Sequence, residues 1–590
     1  MKCFCWCLAL LLLTAPVLKT QVPAPQSKPS QPQQPVYIYL YSRITDQVNL
    51  DITEARLRRI LPMVERYSKD HPAAHVTATI LFSGAASQAL DESNAKTHIK
   101  DFVLGYKKRG IIEVGYDGTD EPTYSKRPLV NLDGTEGASQ RWLARAKADE
   151  AFLTEARDPV TGDPLPGSVG GLMEMQKVFG EASCIAGATV GSVMKTATGQ
   201  EPGAGPTRDV KPEIGDWELA AILRRYNTKA ILIGMPESNP AHVPGFGGST
   251  TGIGKLLSPT PDSSPDLFWA DNVLRASESG NGARVIRGYE GPEALKSFAD
   301  KLDRFRIRIV HMELGSDKDY LKPDFAKAAL SPALSYAYAH PDSPKLPAEA
   351  RLTDNEVNAA FAKEEASLKW LVSDYFPANA GSRFVSSADL QRMAAPSMGY
   401  SIPVAALRKS VSDMLAAWGN DTYPPSYVLA DGHYLSLAET FLVMADSLAE
   451  FDRTGKLPQS VKVTRIYGPI TMMEGHGPNV GEVSIASIAK KCSEIESRLH
   501  DDTANPMPMN TVPSNVQVDG IYMNPAQFLR LMAEAIVNPS ADAKLKVRMT
   551  YVFAGVAEIY PKTRSTEDVG ATWTYKPAPL EASGPSQATR

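Results

Sequence analysis

Residues 109–124, RGIIEVGYDGTDEPTY, read as a short buried strand that empties directly into an acidic loop. Ile111, Ile112 and Val114 form an apolar run bounded by Gly110 and Gly115, which suits an inner strand of a sheet covered by helices on both faces. In such folds the groups that do chemistry stand at the carboxyl ends of strands. The loop offers Asp117, Asp120 and Glu121, with Glu113 one step back on the strand.

The same alternation surrounds this stretch. Val36–Ile44 is a strand by its β-branched and aromatic content, and ends in a polar segment with Arg43, Asp46 and Asp51. Ile52–Tyr67 has helical spacing, with a kink expected at Pro62. His75–Phe82 reads as the second strand and Ser87–Lys108 as one helix with Leu90, His98, Phe102 and Val103 along it. Further strand candidates are Cys184–Val190, Ala230–Met235, Ala283–Ile286, Ile307–Leu314 and Arg383–Ser386. Helices are expected at Trp217–Tyr226, Pro292–Leu302 and Phe361–Tyr375. This order predicts an α/β fold, a distorted (β/α) barrel of about seven strands over residues 36–395. A doubly wound open sheet is the alternative, without a dinucleotide fingerprint to support it.

The succession of strand, helix, KKRGIIEVGYDGTDEP, RIRIVHMEL and SRFVSSADL resembles the barrel of the polysaccharide deacetylase and glycoside hydrolase 57 superfamily. The resemblance implies an Asp near the end of the first strand, where Asp46 or Asp51 stands, and a general-acid His ending a late strand, where His311 stands. It also implies a zinc-binding His-x-x-x-His after the third strand. Here that place reads Tyr116-Asp117-Gly118-Thr119-Asp120, so the usual zinc histidines are absent.

A hydrolytic zinc site needs three protein ligands, usually with at least two imidazoles. Nine histidines are scattered through 590 residues without an HExxH, and His71 and His75, the one HxxxH pair, precede the second strand at the opposite end of the sheet. Asp117 and Asp120, three residues apart, could hold a divalent metal ion such as Ca²⁺ or Mg²⁺, although Asp-Gly followed by Thr-Asp is also ordinary turn chemistry. Metal-free hydrolysis would draw its two carboxylates from Glu113, Asp117 and Glu313, with His311 relaying a proton. The plainer reading of His311 is a buried histidine that satisfies one hydrogen bond.

Composition bounds the rest. The chain is long enough for two or three domains, and 43% hydrophobic with 22% charged residues is ordinary for a globular protein. A net charge of −5 provides no basic field for nucleic acid. Gly245–Lys255 lacks the spacing of a Walker loop, so no nucleotide is expected. Residues 1–20 combine one lysine with an apolar run and read as a signal peptide, placing the protein outside the cytoplasm, secreted or periplasmic in the cell envelope. An uncleaved signal would keep it near the membrane. A Pro/Gln-rich linker fills 21–35, and the tail 561–590 is expected to be disordered. Beyond the leader only Cys184 and Cys492 remain, read as two buried thiols, with a single bridge as the alternative.

Past residue 400 the sequence repeats itself at an offset of 88. PSYVLADGHY (425–434) aligns with PSNVQVDGIY (513–522), and Ser436-x-x-Glu439 and Asn524-x-x-Gln527 both have capping-box form. Amphipathic segments precede each copy at Val404–Trp418 and Ile485–Leu499. Residues 400–560 are therefore expected to be a duplicated α+β module. LSLAETFLVMADSL and MNPAQFLRLMAEAI resemble pseudomurein-binding repeats, which implies a cell-wall glycan as partner. Asp431, Tyr434, Asp519 and Tyr522 are then the ligand-binding candidates; Asp-Gly as a plain turn with Tyr packed on the helix is the alternative. The chain is thus expected to cut, deacylate or bind an envelope polysaccharide, or to serve as an envelope scaffold.

Overall fold

The structure, a computed structural model, describes residues 33–117, 171–186, 291–300, 307–326, 332–340, 342–394, 400–419, 423–469, 480–501, 510–552 and 573–578, with short strands at 194–195, 211–212, 230–233, 268–271 and 286–287. The leader, Asp120, Glu121, Trp217–Tyr226 and Gly245–Lys255 lie outside these residues.

One nine-stranded sheet organises the first part of the chain. Its strands are β1 (Val36–Ile44), β2 (Ala78–Phe82), β3 (Ile112–Asp117), β4 (Ile185–Ala186), β5 (Ala230–Ile233), β6 (Phe268–Asp271), β7 (Ile286–Arg287), β8 (Arg308–Glu313) and β9 (Arg383–Phe384). Every pairing is parallel, which makes this an α/β fold. The order is β6-β5-β4-β3-β2-β1-β8-β7, with β9 also on β1. All nine residues of β1 are buried because both its edges are taken. β8 runs along one edge from Val36 to Tyr41, so β9 at Tyr37–Ile38 and β2 at Tyr41–Ile44 must share the other.

The strands step away from β1 in chain order and return to its far edge from outside, the order of a singly wound sheet. In a doubly wound sheet the strand after the crossover would lie next to β1 first. The expected barrel closure is not seen: among the described residues no pairing joins β6 to β7. These two strands are four and two residues long, and among the described residues each forms its ladder with one neighbour. The aromatic pair in β6, Phe268-Trp269, was the strand signal missed in the sequence.

Two helix expectations also change. Helix α1 (Leu50–Asp70) runs through Pro62 without stopping, carried by a buried stripe of Ile52, Leu57, Ile60, Leu61 and Val64. The segment read as one helix is two, α2 (Gly84–Thr97) and α3 (Ile99–Lys108), broken at His98 with φ of 55°. His98 is exposed, so it does not belong to the apolar stripe. Helix α2 meets α4 (Gly171–Phe179) where a Cβ on Gly84 would stand 2.4 Å from the Cα of Gly171. Backbone cannot yield there as a side chain tip would. Gly84→Val should therefore lower stability by about 1–3 kcal/mol or more, the usual cost of overpacking. A thermal melt indistinguishable from wild type would show that the helices are free to part.

Residues 401–462 run strand (Ser401–Pro403), helix (Val404–Trp418), hairpin (Tyr427–Ala430 and His433–Ser436), helix (Leu437–Thr454), strand (Ser460–Lys462). Residues 481–547 repeat that order: Gly481–Ser484, Ile485–Leu499, Val516–Val518 with Ile521–Met523, Pro525–Val537, Lys544–Val547. In each segment the outer strands pair antiparallel, and the hairpin turns on Asp-Gly. Asp431 and Gly432 have φ of 50° and 79°, Asp519 and Gly520 49° and 81°. Positive φ at both central residues is what a two-residue turn matched to strand twist requires. Both capping boxes form, at Ser436/Glu439 and Asn524/Gln527. The segments share a single core in which Phe441 and Phe528 lie 5.9 Å apart.

Residues 573–578 fall in the tail expected to be disordered, yet all six are buried. Trp573 enters the second core and Tyr575 and Ala578 the first, so local composition was overruled by two distant surfaces. Cys184 and Cys492 are buried free thiols. Among the described residues no helix is long and apolar enough to cross a membrane.

Candidate functional site

Register decides which side chains meet. Residues paired across a parallel sheet point to the same face, and alternate residues share it. Glu313, Tyr41, Thr79 and Glu113 form one row across β8, β1, β2 and β3. Tyr37, Tyr39, Arg43 and Asp117 lie on that same face by alternation. The sequence candidates Glu113, Asp117 and Glu313 are therefore brought to one face. His311 sits opposite Tyr39 in the register, and its side chain lies outside the described residues.

Asp117 is the last residue of β3 and not the start of a loop. It is fully buried and receives the Nε of Arg43 at 2.5 Å, the two side chains 1% and 4% exposed. A carboxylate neutralised in this way is not a vacant ligand for a cation, so the Asp117/Asp120 metal reading is corrected for Asp117; Asp120 is outside the described residues. Among the described residues no group of three or more His, Cys, Asp or Glu side chains is placed to hold a metal ion.

Glu113 is held in a hydrogen-bonded cluster. Its Oε2 accepts from the amide of Ser387 at 2.8 Å and from Thr79 Oγ1 at 3.2 Å. Tyr39 is the hub beside it: the phenol donates to Thr79 Oγ1 at 2.7 Å and lies 3.0 Å from Ser387 Oγ and 3.3 Å from Cys184 Sγ. Gly115 makes this possible, since a Cβ there would stand 2.8 Å from Cys184 Sγ and 2.7 Å from Leu81. Burial pushes the Glu113 carboxyl above its ordinary range, against the hydrogen bonds from Ser387 and Thr79. Burial likewise pushes Tyr39 well above the usual phenol value and Cys184 up to about 12. A thiol held protonated is a poor nucleophile.

Glu313 is buried at the end of β8. A second acidic group, absent from the sequence candidates, lies just beyond it. Glu364 accepts from the amide of Gly315 at 2.9 Å, and Asp319 from Ser316 at 2.7 Å. Asp317 accepts from Ala333 at 3.0 Å. Arg56 donates to the carbonyls of Arg43 at 2.6 Å and Gly315 at 2.9 Å, and its charge reaches Asp317 and Asp319. Burial pushes Asp317 up to about 6 and raises Asp319, while burial followed by the charge of Asp319 pushes Glu364 well above the ordinary range. The signal that could have found this group is Ser316-Asp317-Lys318-Asp319 directly after the strand RIVHME, the same strand-then-acid pattern as at 109–124.

The remaining candidates are accounted for by turns and caps. Asp46 accepts from the amides of Val48 at 2.7 Å and Asn49 at 3.0 Å, shaping the entry to α1. Asp51 pairs with Arg351 at the surface. His71 ends α1 and His75 closes the short turn after it, away from the carboxyl ends of the strands. Asp431 and Asp519 are the exposed first residues of the two hairpin turns. Tyr434 is half-buried, edge-on to Tyr427 at 5.3 Å, whereas Tyr522 is 53% exposed.

No family model matches the chain, and no curated protein matches it. Among solved structures, a 4-alpha-glucanotransferase from Thermococcus litoralis aligns over 65% of this chain at 10% identity, with a TM-score of 0.25. This chain spans 45% of that protein's length, and a likeness at that level carries no inference about activity.

Proposed function

We propose that this is an exported envelope protein that binds a cell-wall or extracellular polysaccharide, with the sheet domain acting as a non-catalytic support. The observation that carries the reading is how the carboxylates are held: Asp117 in a buried ion pair and Glu113 in a hydrogen-bonded cluster. A glycosidase needs two carboxyl groups about 5–9.5 Å apart with room between them for sugar or water. Glu113 and Asp117 are four residues apart on one strand, about 13 Å at the usual rise. The neighbouring acid that raises Glu113 is Asp389, while Glu313 acts on Glu364. Export rests on the leader at 1–20, and the sugar partner on the resemblance of the two C-terminal segments to wall-binding repeats. Their matching element order, pairings, turn angles and capping boxes support reading them as copies of one module.

Within that module Tyr522 is the favoured sugar contact, because it presents an aromatic face on an exposed hairpin strand across from Gln517. Tyr434 has the same place in the first copy but is partly spent on Tyr427. In a pull-down on isolated cell wall, Tyr522→Ala should reduce retention about 2- to 10-fold, matching ~0.5–1.5 kcal/mol for an aromatic contact. Tyr434→Ala should change it less. Equal retention of Tyr522→Ala and wild type would reject this surface.

A further inference from the structure

The two C-terminal segments differ at one chemically decisive position. The third residue of the long helix closes the capping box in both, as Glu439 in the first and Gln527 in the second. Glu439 uses Oε2 to accept from the amide of Ser436 at 2.8 Å, which leaves Oε1 to receive the Nζ of Lys576 at 2.8 Å. These two side chains are 4% and 7% exposed, so neither charge has water as an alternative partner. Gln527 is neutral: its Oε1 accepts from the amide of Asn524 at 3.1 Å and its Nε2 donates to the carbonyl of Arg548 at 3.0 Å.

The residues around Lys576 reach both parts of the molecule. The indole of Trp573 donates to the carbonyl of Val552 at 2.8 Å, and Thr574 Oγ1 accepts from the amide of Gly468 at 3.0 Å. The amide of Lys576 donates to the carbonyl of Met393 at 3.1 Å, and that of Ala578 to the phenol of Tyr37 at 3.1 Å. Met393 is near the end of the helix Ser387–Ala394, whose first residue donates to Glu113. Tyr37 is the second residue of β1, at the amino end of the face that carries Glu113 and Asp117.

We propose that residues 573–578 are an interdomain tie that bridges the shared core of the two C-terminal segments, through Glu439 of the first and Val552 of the second, to the amino end of the sheet, with the Glu439–Lys576 ion pair holding it in place. It does not depend on what the hairpins bind.

The test is amide hydrogen exchange of the full chain, read at residues 574–578 and along helix 437–454. Glu439→Gln keeps the capping box, as Gln527 demonstrates, but removes the anion that Lys576 needs. Exchange at 574–578 should rise at least tenfold while the helix stays protected. Gln527→Glu should leave 574–578 unchanged. Lys576→Met combined with Glu439→Gln, which removes both charges, should recover most of the protection. Unchanged exchange in Glu439→Gln, or an equal rise along the helix, would overturn the proposal.

Discussion

Arg43→Met is expected to lower the unfolding free energy of the sheet domain by about 3–5 kcal/mol, the largest single effect anticipated for this chain. The reason lies in what remains. Asp117 is fully buried, and losing the guanidinium at 2.5 Å removes the cation paired with its carboxylate. Removing both partners is different, because two apolar side chains of similar volume carry no desolvation penalty. Arg43→Met with Asp117→Leu should therefore lie closer to wild type than Arg43→Met alone. Urea unfolding of the three proteins gives the answer. A loss under about 1 kcal/mol for the single variant would place the pair in water, at the scale of a surface bridge.

The second large effect is a dependence on pH. Asp317 is pushed up from 3.8 to about 6, chiefly by burial, with Asp46 adding to the rise and Arg56, the Ala333 amide and Lys318 opposing it. A carboxyl whose folded value is raised binds its proton more tightly when folded. Its contribution to stability is thus fully present below about pH 4 and is lost as pH rises through about 6. The loss is worth about 3 kcal/mol at 1.36 kcal/mol per pH unit. Asp317→Asn keeps an oxygen for the amide of Ala333 and removes the titration. The variant should match or exceed wild-type stability at pH 7, and the gap should shrink towards pH 4. Parallel profiles for the two proteins between pH 4 and 7 would mean that Asp317 titrates as if exposed.

Much of the chain could be read directly. Val36–Ile44, Val404–Trp418 and Ile485–Leu499 form with the expected bounds, because each carries one uninterrupted period, and both capping boxes close as their spacing requires. What failed did so at places where a distant contact outweighs local preference. Pro62 stays inside a helix because the buried stripe on both sides holds it, and 573–578 is ordered because Trp573 and Tyr575 find two cores. The candidate site was half legible. Strand ends marked Glu113, Asp117 and Glu313, but nothing in the order of residues says that Arg43 will neutralise Asp117, or that Tyr39, Thr79 and Ser387 will gather around Glu113.

By itself, then, the sequence determined the parallel α/β character, the positions of most strands and helices and the two Asp-Gly turns, since these follow from periodicity, capping and backbone sterics over a few neighbouring residues. Tertiary structure alone decided that, among the described residues, no ladder joins Phe268–Asp271 to Ile286–Arg287, that Arg43 meets Asp117 and Ser387 meets Glu113, and that the tail reaches both the C-terminal core and the sheet. Those outcomes depend on which charges lose water together, a property of groups tens to hundreds of residues apart that no local pattern encodes.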